Sequence, residues 1–245
     1  MVLKRLNSII KVKIVFDKEA LNNNFYTGWG VAFLINNRIL FDTGENGELL
    51  INNVQQLGSR IDKLQAIVIS HDHWDHTGGL WEILKIKRLK VYGCPNFSED
   101  FKRRISDLNS EFIGVDKLTK MSEKIYLTGE ISGLYAGAGI AEQAVIIKTA
   151  KGISVLTGCS HPGIVKILTK IKGEFPKEKF YLVAGGFHLI EQDTRLIKII
   201  VDEFKKLSVT KVGPTHCTGG EAEDIFKAEF KNDFISIKVG QTIEV

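Results

Sequence analysis

The sequence predicts an α/β protein, and three observations carry that prediction. Runs with strand character alternate with runs of helical spacing along the whole chain. All six histidines, and Asp42 as well, come directly after strand-like runs, in short turns rich in Gly, Thr or Ser. No Pro-, Gly- or Ser-rich linker interrupts the 245 residues, so residues 1–245 read as one domain built of two similar halves.

The elements follow in order. Ile9–Phe16 alternates apolar and basic residues and reads as a strand, and the Asn-rich Asp17–Gly28 as a loop. Gly30–Ile35 and Arg38–Phe41, separated by Asn36-Asn37, have the form of a hairpin closed by a two-residue turn. Gly47–Leu57 carries Leu49, Leu50, Val54 and Leu57 at helical spacing, with Gly58 as the stop. A buried strand is expected over Ile61–Ile69, a short helix over Gly79–Leu84 and a strand over Leu89–Tyr92. Asn96–Asn109 is charged and irregular, with some helical character.

The second half repeats this grammar. Strands are expected at Ile125–Leu127, Ala144–Thr149, Ile153–Leu156, Lys179–Ala184, Val209–Gly213 and Phe234–Val239. Helices are expected at Ile164–Ile171, opened by Pro162-Gly163 with the proline in the first turn, and at Thr194–Leu207 and Glu221–Phe230.

Apolar residues make up 44% and charged residues 25%, which excludes disordered and fibrous classes. No apolar run is long enough to cross a bilayer, and Met1–Arg5 leads into a strand-like segment, not a signal peptide. Cys94, Cys159 and Cys217 form neither a C-x-x-C pair nor a disulfide framework. A reducing, cytoplasmic setting is therefore expected. The net charge of +4 is too small and too spread to argue for nucleic acid, yet it suits a small anionic or phosphorylated substrate.

The densest chemistry lies in Ser70-His71-Asp72-His73-Trp74-Asp75-His76-Thr77-Gly78-Gly79. Folding alone does not explain three imidazoles and two carboxylates within six residues, because burying them unpaired would be costly. His71 and His73 alternate across one residue, so an extended turn aims both at one ion. Asp75 and His76 follow one short step later and reach a second ion. Imidazole and carboxylate together favour zinc, with manganese, iron or magnesium as alternatives, and leave open positions for water. Since ligands collect at the carboxyl ends of strands in open α/β sheets, residues distant in sequence can converge on one edge.

His71-Asp72-His73-Trp74-Asp75-His76 after a buried strand, with Phe41-Asp42-Thr43-Gly44 before it and isolated His161 and His216 after it, resembles the metallo-β-lactamase superfamily. The resemblance runs from about Ile9 to the end of the chain. It implies an αββα sandwich with one or two divalent metal ions at one edge of the sheets. His71, His73 and His161 would hold the first ion, and Asp75, His76 and His216 the second. Asp42 would support the metal loop from behind by hydrogen bonding.

One departure from the family pattern stands out. Where many two-metal members carry a bridging aspartate, this chain reads Ala184-Gly185-Gly186-Phe187-His188. Together with Thr157–Gly163 and Pro214–Gly219, this resembles the branch that includes the 7,8-dihydropterin-6-methyl-4-(β-D-ribofuranosyl)aminobenzene 5'-phosphate synthases. Those enzymes join a dihydropterin methyl diphosphate to a ribofuranosylaminobenzene phosphate in methanopterin biosynthesis.

Four function classes follow. The first is a hydrolase, in which metal-activated water attacks an ester or phosphoester, with Asp75 as proton acceptor and His188 on a substrate anion or leaving group. The alternative is the pterin transferase. A non-catalytic metal-binding protein ranks below both, and a nuclease lower still, for want of a basic arm. Cys159 and Cys217 read as small buried residues under the metal loops, with soft ligation as the alternative. Trp74 reads as either a substrate wall or packing. The glycine-rich Gly133–Ile140 reads as a mobile entrance loop, and Lys102-Arg103-Arg104 as a solvated face.

Overall fold

A computed structural model describes residues 9–245. The reading of Met1–Arg5 therefore lies outside the described residues. The chain divides into two compact units, Ile10–Lys117 with Ile237–Glu244, and Leu118–Ser236.

The first unit is a seven-stranded sheet. Its strands are β1 (Lys11–Phe16), β2 (Ala32–Ile35), β3 (Ile39–Phe41), β4 (Ala66–Val68), β5 (Lys90–Gly93) and β6 (Glu111–Gly114), and a closing strand Thr242–Glu244 pairs with β1. β1, β2 and β3 are antiparallel neighbours, whereas β3 to β6 run parallel. Asn36 and Asn37 both have positive φ (49° and 57°), the geometry of a tight hairpin turn that matches strand twist.

Helix α1 (Gly47–Gln56) begins where Asn46 accepts a hydrogen bond from the Leu49 N–H at 3.1 Å. It stops at Gly58, whose φ of +66° suits glycine. α2 (Trp74–Thr77), α3 (Leu80–Ile86) and α4 (Glu99–Asp107) follow the parallel strands, and the Ser98 hydroxyl caps α4. The helical character of Asn96–Asn109 is thus realised.

The strand expected over Ile61–Ile69 is shorter than the apolar run suggested. Ile61–Lys63 forms a 3₁₀ turn and only Ala66–Val68 pairs with neighbours. Ile67, Val68 and Ile69 are fully buried, at about 1.5–3 kcal/mol each, so burial and not ladder length explains the apolar run.

The second unit is a six-stranded sheet of β7 (Thr119–Lys120), β8 (Ile125–Leu127), β11 (Val145–Thr149), β12 (Gly152–Thr157), β13 (Phe180–Gly186) and β14 (Lys211–Thr215). A separate hairpin joins β9 (Ile131–Tyr135) to β10 (Ala138–Glu142). β12, β13 and β14 are parallel neighbours.

Helices α5 (Ile164–Glu174), α6 (Thr194–Lys206) and α7 (Gly220–Phe230) connect or follow them. α5 buries Ile164, Ile167, Leu168 and Ile171, one face at helical spacing. Phe187 packs against Phe204 of α6 and Phe226 of α7, with ring centroids 5.4 and 5.5 Å apart, anchoring the turn that ends β13.

Three expectations are corrected here. Gly163, at φ +94°, is the residue preceding α5, so Pro162 stands outside the helix and not in its first turn. Phe234–Val239 is not a strand. Phe234 makes only an isolated bridge to Val212, and the last ladder strand is Thr242–Glu244. Gly133–Ile140 lies mostly within β9 and β10, with Ala136 and Gly137 at positive φ closing a two-residue turn. Its glycines serve a hairpin and not a loose loop. Among the described residues, no helix is long and apolar enough to cross a membrane.

Candidate functional site

In the first unit the chemistry collects behind β3 and β4. Asp42 follows β3 with φ 57°, and His71 stands three residues after β4 ends at Val68. Asp42 is fully buried and its carboxylate is saturated. Oδ1 accepts from the Ser70 N–H at 2.7 Å, and Oδ2 accepts from the Ser70 hydroxyl at 2.7 Å. Oδ2 also meets His76 Nδ1 at 2.7 Å. The Ser70 Oγ in turn lies 2.9 Å from His71 Nδ1. One carboxylate thus orients two imidazoles, one directly and one through a serine hydroxyl.

This geometry fits metal ligation. With Nδ1 of His76 engaged by Asp42, Nε2 is the nitrogen turned towards Asp75 Oδ2, 3.6 Å away. That is too long for a hydrogen bond but near the roughly 3.4 Å separating two donors on one tetrahedral zinc. The His71 ring lies 4.7 Å from His73 and 4.2 Å from His76, centroid to centroid. His71, His73, Asp75 and His76 are therefore brought together, as the sequence suggested.

Backbone packing holds the loop. Thr43 N–H and Oγ1 both donate to the His76 carbonyl, at 3.0 and 2.8 Å. At Gly30, φ is +118° and a Cβ would stand 2.0 Å from the Asp75 carbonyl, so only glycine allows that approach. Asp72, the other carboxylate of the motif, turns away and accepts from the Ser98 N–H at 3.0 Å, tying the loop to α4. Trp74 is 62% exposed, which removes the reading that it packs over the loop.

In the second unit His161, His188 and His216 all follow the parallel strands β12, β13 and β14. The ring of His161 lies 4.4 Å from that of His188. Tyr135, at the end of β9, meets both edge-on, at 5.0 and 6.0 Å. Cys159 and Cys217 are buried, and a sulfur or nitrogen of Cys159, His188 and Cys217 lies within 4.8 Å of each of the others.

Burial acts to push the Cys217 thiol up, but hydrogen bonding with Cys159 and His188 and the charge of His216 and His188 outweigh it. The thiol is held well below its ordinary value. His188 is raised above the usual imidazole value through Cys217 first, against burial, with Glu142 and Glu191 contributing.

Glu142 is a residue that motif reading missed. It is 1% exposed, and its carboxylate accepts from the backbone N–H groups of Cys159 (3.0 Å), Ser160 (2.7 Å) and His161 (2.7 Å). Three successive amides converging on one anion form a nest, here with Ser160 at φ 67°. The available signal was an acid between the apolar pairs Ile140-Ala141 and Ala144-Val145, with only Gln143 beside it. Ser70 was missed as an orienting hydroxyl although it adjoins His71.

At the two glycines of the slot lacking a bridging aspartate, any side chain would clash. A Cβ on Gly185 (φ +125°) would stand 2.1 Å from the Thr157 carbonyl. One on Gly186 would stand 2.3 Å from the Gly158 carbonyl and 2.6 Å from Cys217 Sγ. Gly186→Asp is therefore expected to destabilise the protein by about 1–3 kcal/mol or more without restoring a bridge, as thermal denaturation would measure. An aspartate variant as stable as the parent would mean that the strand ends separate freely.

Comparison with known proteins agrees with these features. Residues 30–191 match the profile of the metallo-β-lactamase superfamily. The chain is 31% identical to the 7,8-dihydropterin-6-methyl-4-(β-D-ribofuranosyl)-aminobenzene-5'-phosphate synthase of Methanocaldococcus jannaschii, with 93% of this chain and 94% of that one covered. It is 30% identical to Tm1679, described as a metal-dependent hydrolase of the β-lactamase superfamily, with TM-score 0.81 and 96% and 99% coverage. YhfI of Bacillus subtilis shares the fold at 18% identity and TM-score 0.68, over 98% and 100%. The chain belongs to the metallo-β-lactamase superfamily and has its fold.

Proposed function

We propose that this chain is a metal-dependent transferase that joins two small phosphorylated substrates, one entering as a methyl diphosphate of a planar ring and the other as an arylamine. The observation that carries this reading over hydrolysis is the Gly185–Gly186 strand end, where a side chain at either position would press on neighbouring backbone, so neither can supply a bridging carboxylate. Full-length similarity to a protein named as a pterin synthase supports the same choice.

His71, His73, Asp75, His76, His161 and His216 are proposed as the metal-holding residues, on the strength of family membership and of the oriented imidazoles within the loop. The donor set of imidazole and carboxylate suits zinc or a similar divalent ion. A metal held there would supply Lewis-acid stabilisation of the departing diphosphate oxygen.

The chain's own residues do the rest. The arylamine nitrogen attacks the methylene carbon, a C–N bond forms, the C–O bond to diphosphate breaks, and the amine proton leaves. Asp75 is the proposed acceptor of that proton, and His188 contributes positive charge towards the leaving group. Tyr135, half-exposed on its hairpin, offers an aromatic face or edge to a planar ring beside His161 and His188.

The test is incubation of metal-loaded protein with the dihydropterin methyl diphosphate and the ribofuranosylaminobenzene phosphate. A condensation product with equimolar diphosphate release is expected. Diphosphate release with only a hydroxymethyl product would overturn the transferase reading in favour of hydrolysis, the second reading, which similarity to Tm1679 favours. For the same assay, Tyr135→Ala is expected to raise KM about 10-fold, roughly 1.4 kcal/mol, with kcat little changed and Tyr135→Phe close to wild type. An unchanged KM in the alanine variant would remove Tyr135 from the substrate site.

A further inference from the structure

Cys159, His188 and Cys217 share a positional regularity that no part of the proposed reaction requires. β12, β13 and β14 are adjacent and parallel, and each of the three residues stands two positions past the last residue of its strand: Thr157, Gly186 and Thr215. The register aligns those strand ends, with Thr157 opposite Gly185 and Gly186 opposite Thr215. Three side chains from three neighbouring strands therefore arrive at one point by construction of the sheet.

We propose that Cys159, His188 and Cys217 form a sulfur-containing metal site at the carboxyl edge of this sheet, with His188 and Cys217 as the donors peculiar to it. The ligand is a thiophilic divalent cation, zinc foremost.

Geometry and chemistry carry the assignment. One donor atom from each residue lies within 4.8 Å of the other two. In a tetrahedral zinc site with Zn–S near 2.3 Å and Zn–N near 2.0 Å, donors stand roughly 3.5–3.8 Å apart. The observed spread therefore needs only small side-chain rotations to close. Both cysteines are at most 5% exposed, and His188 Nδ1 is buried without a hydrogen-bond partner. The Cys217 thiol donates a long hydrogen bond to the Cys159 carbonyl, at 3.5 Å, and also meets the His188 imidazole.

The backbone also bears a cost that favours this arrangement. His188 takes φ 54°, a left-handed conformation uncommon for a residue with a side chain. Gly186 lacks the Cβ that would otherwise press on Cys217 Sγ at 2.6 Å. Both features clear and aim the space that the three donors face. Three protein donors leave a fourth tetrahedral position for solvent or substrate, on the half-buried side of His188. His188 would then act on a substrate anion through the ion it helps to hold.

Cobalt(II) substitution tests the site directly, because a thiolate bound to cobalt gives an intense near-ultraviolet charge-transfer band that imidazole and carboxylate do not. Wild-type protein depleted of metal and titrated with cobalt(II) should develop that band. The band should fall by about half in Cys217→Ser and disappear in the Cys159→Ser, Cys217→Ser double variant, with one metal equivalent lost. His73→Ala should keep the band while losing the other equivalent.

Cobalt bound without the band would overturn the proposal, as would a disulfide between the two cysteines seen by mass spectrometry of the unreduced protein. So would cysteines that react with a thiol reagent equally fast with and without metal. The Cys217→Ser variant decides the matter where the double variant fails to fold, because Cys217 belongs to this group alone, and an undiminished band in it would overturn the proposal. Absence of the band with condensation activity intact would refute this site alone, whereas a band without condensation would refute only the proposed reaction.

Discussion

Asp42→Ala is expected to destabilise the protein by about 3–5 kcal/mol, because it leaves the buried Ser70 N–H, the Ser70 hydroxyl and His76 Nδ1 without their acceptor. For a chain of this length that corresponds to a Tm lowered by roughly 10 °C. Metal affinity should fall about 10- to 100-fold as the two imidazoles lose their orientation. Asp42→Asn separates stability from ligation. Asparagine tolerates the left-handed backbone at this position and its carbonyl can still accept from Ser70 N–H. Its amide, however, would donate to His76 Nδ1, moving the imidazole proton to Nε2, where it blocks a metal. The asparagine variant should thus recover part of the Tm yet bind metal as poorly as the alanine variant. Near-wild-type affinity in Asp42→Asn, measured by competition with a chelating dye, would show that Asp42 does not set the His76 tautomer.

Glu142→Ala is expected to be of similar severity. It orphans the amides of Cys159, Ser160 and His161 together, at about 1–3 kcal/mol for each one left dry. The turn that presents His161 would relax from the positive φ of Ser160, so metal retention should drop along with stability. Glu142→Gln retains one acceptor oxygen but turns an amide NH₂ towards a backbone donor, and should fall between the two. Thermal melting and metal content of the purified variants measure both effects. An alanine variant with unchanged melting would mean that the turn is held by its other contacts.

The histidine loop was legible because its chemistry is local. Six consecutive residues supply four donors, and a fully apolar run before them announces the buried strand that fixes their start. The elements of helical spacing were legible for the same reason: α5, α6 and α7 show their buried faces in the sequence itself. What could not be read were the elements whose existence depends on partners far along the chain. Thr242–Glu244 is a strand because β1 offers it an edge, while the more β-rich Phe234–Val239 finds only two isolated bridges, one at each end. Gly133–Ile140 looked like a loop because glycine content outweighed alternation. In the fold those glycines permit close approach, Gly133 being so near His161 and Pro162 that a Cβ would stand 2.7–3.0 Å from their backbone.

By itself, then, the sequence determined the family, the alternating α/β order and the clustering of potential metal donors in His71–His76, since each rests on spacing between near neighbours. The family resemblance placed Asp42 behind the loop, but only the tertiary structure decided which groups it holds and that Glu142 stands behind His161. Asp42 is 34 residues from the imidazole it orients. Glu142 is 17 to 19 residues from the amides it gathers. Cys159, His188 and Cys217 meet only because three parallel strands end side by side. Hydrogen bonds and metal sites depend on distances of a few ångströms, and in a parallel sheet those distances are set between strands that the chain reaches only after a crossover.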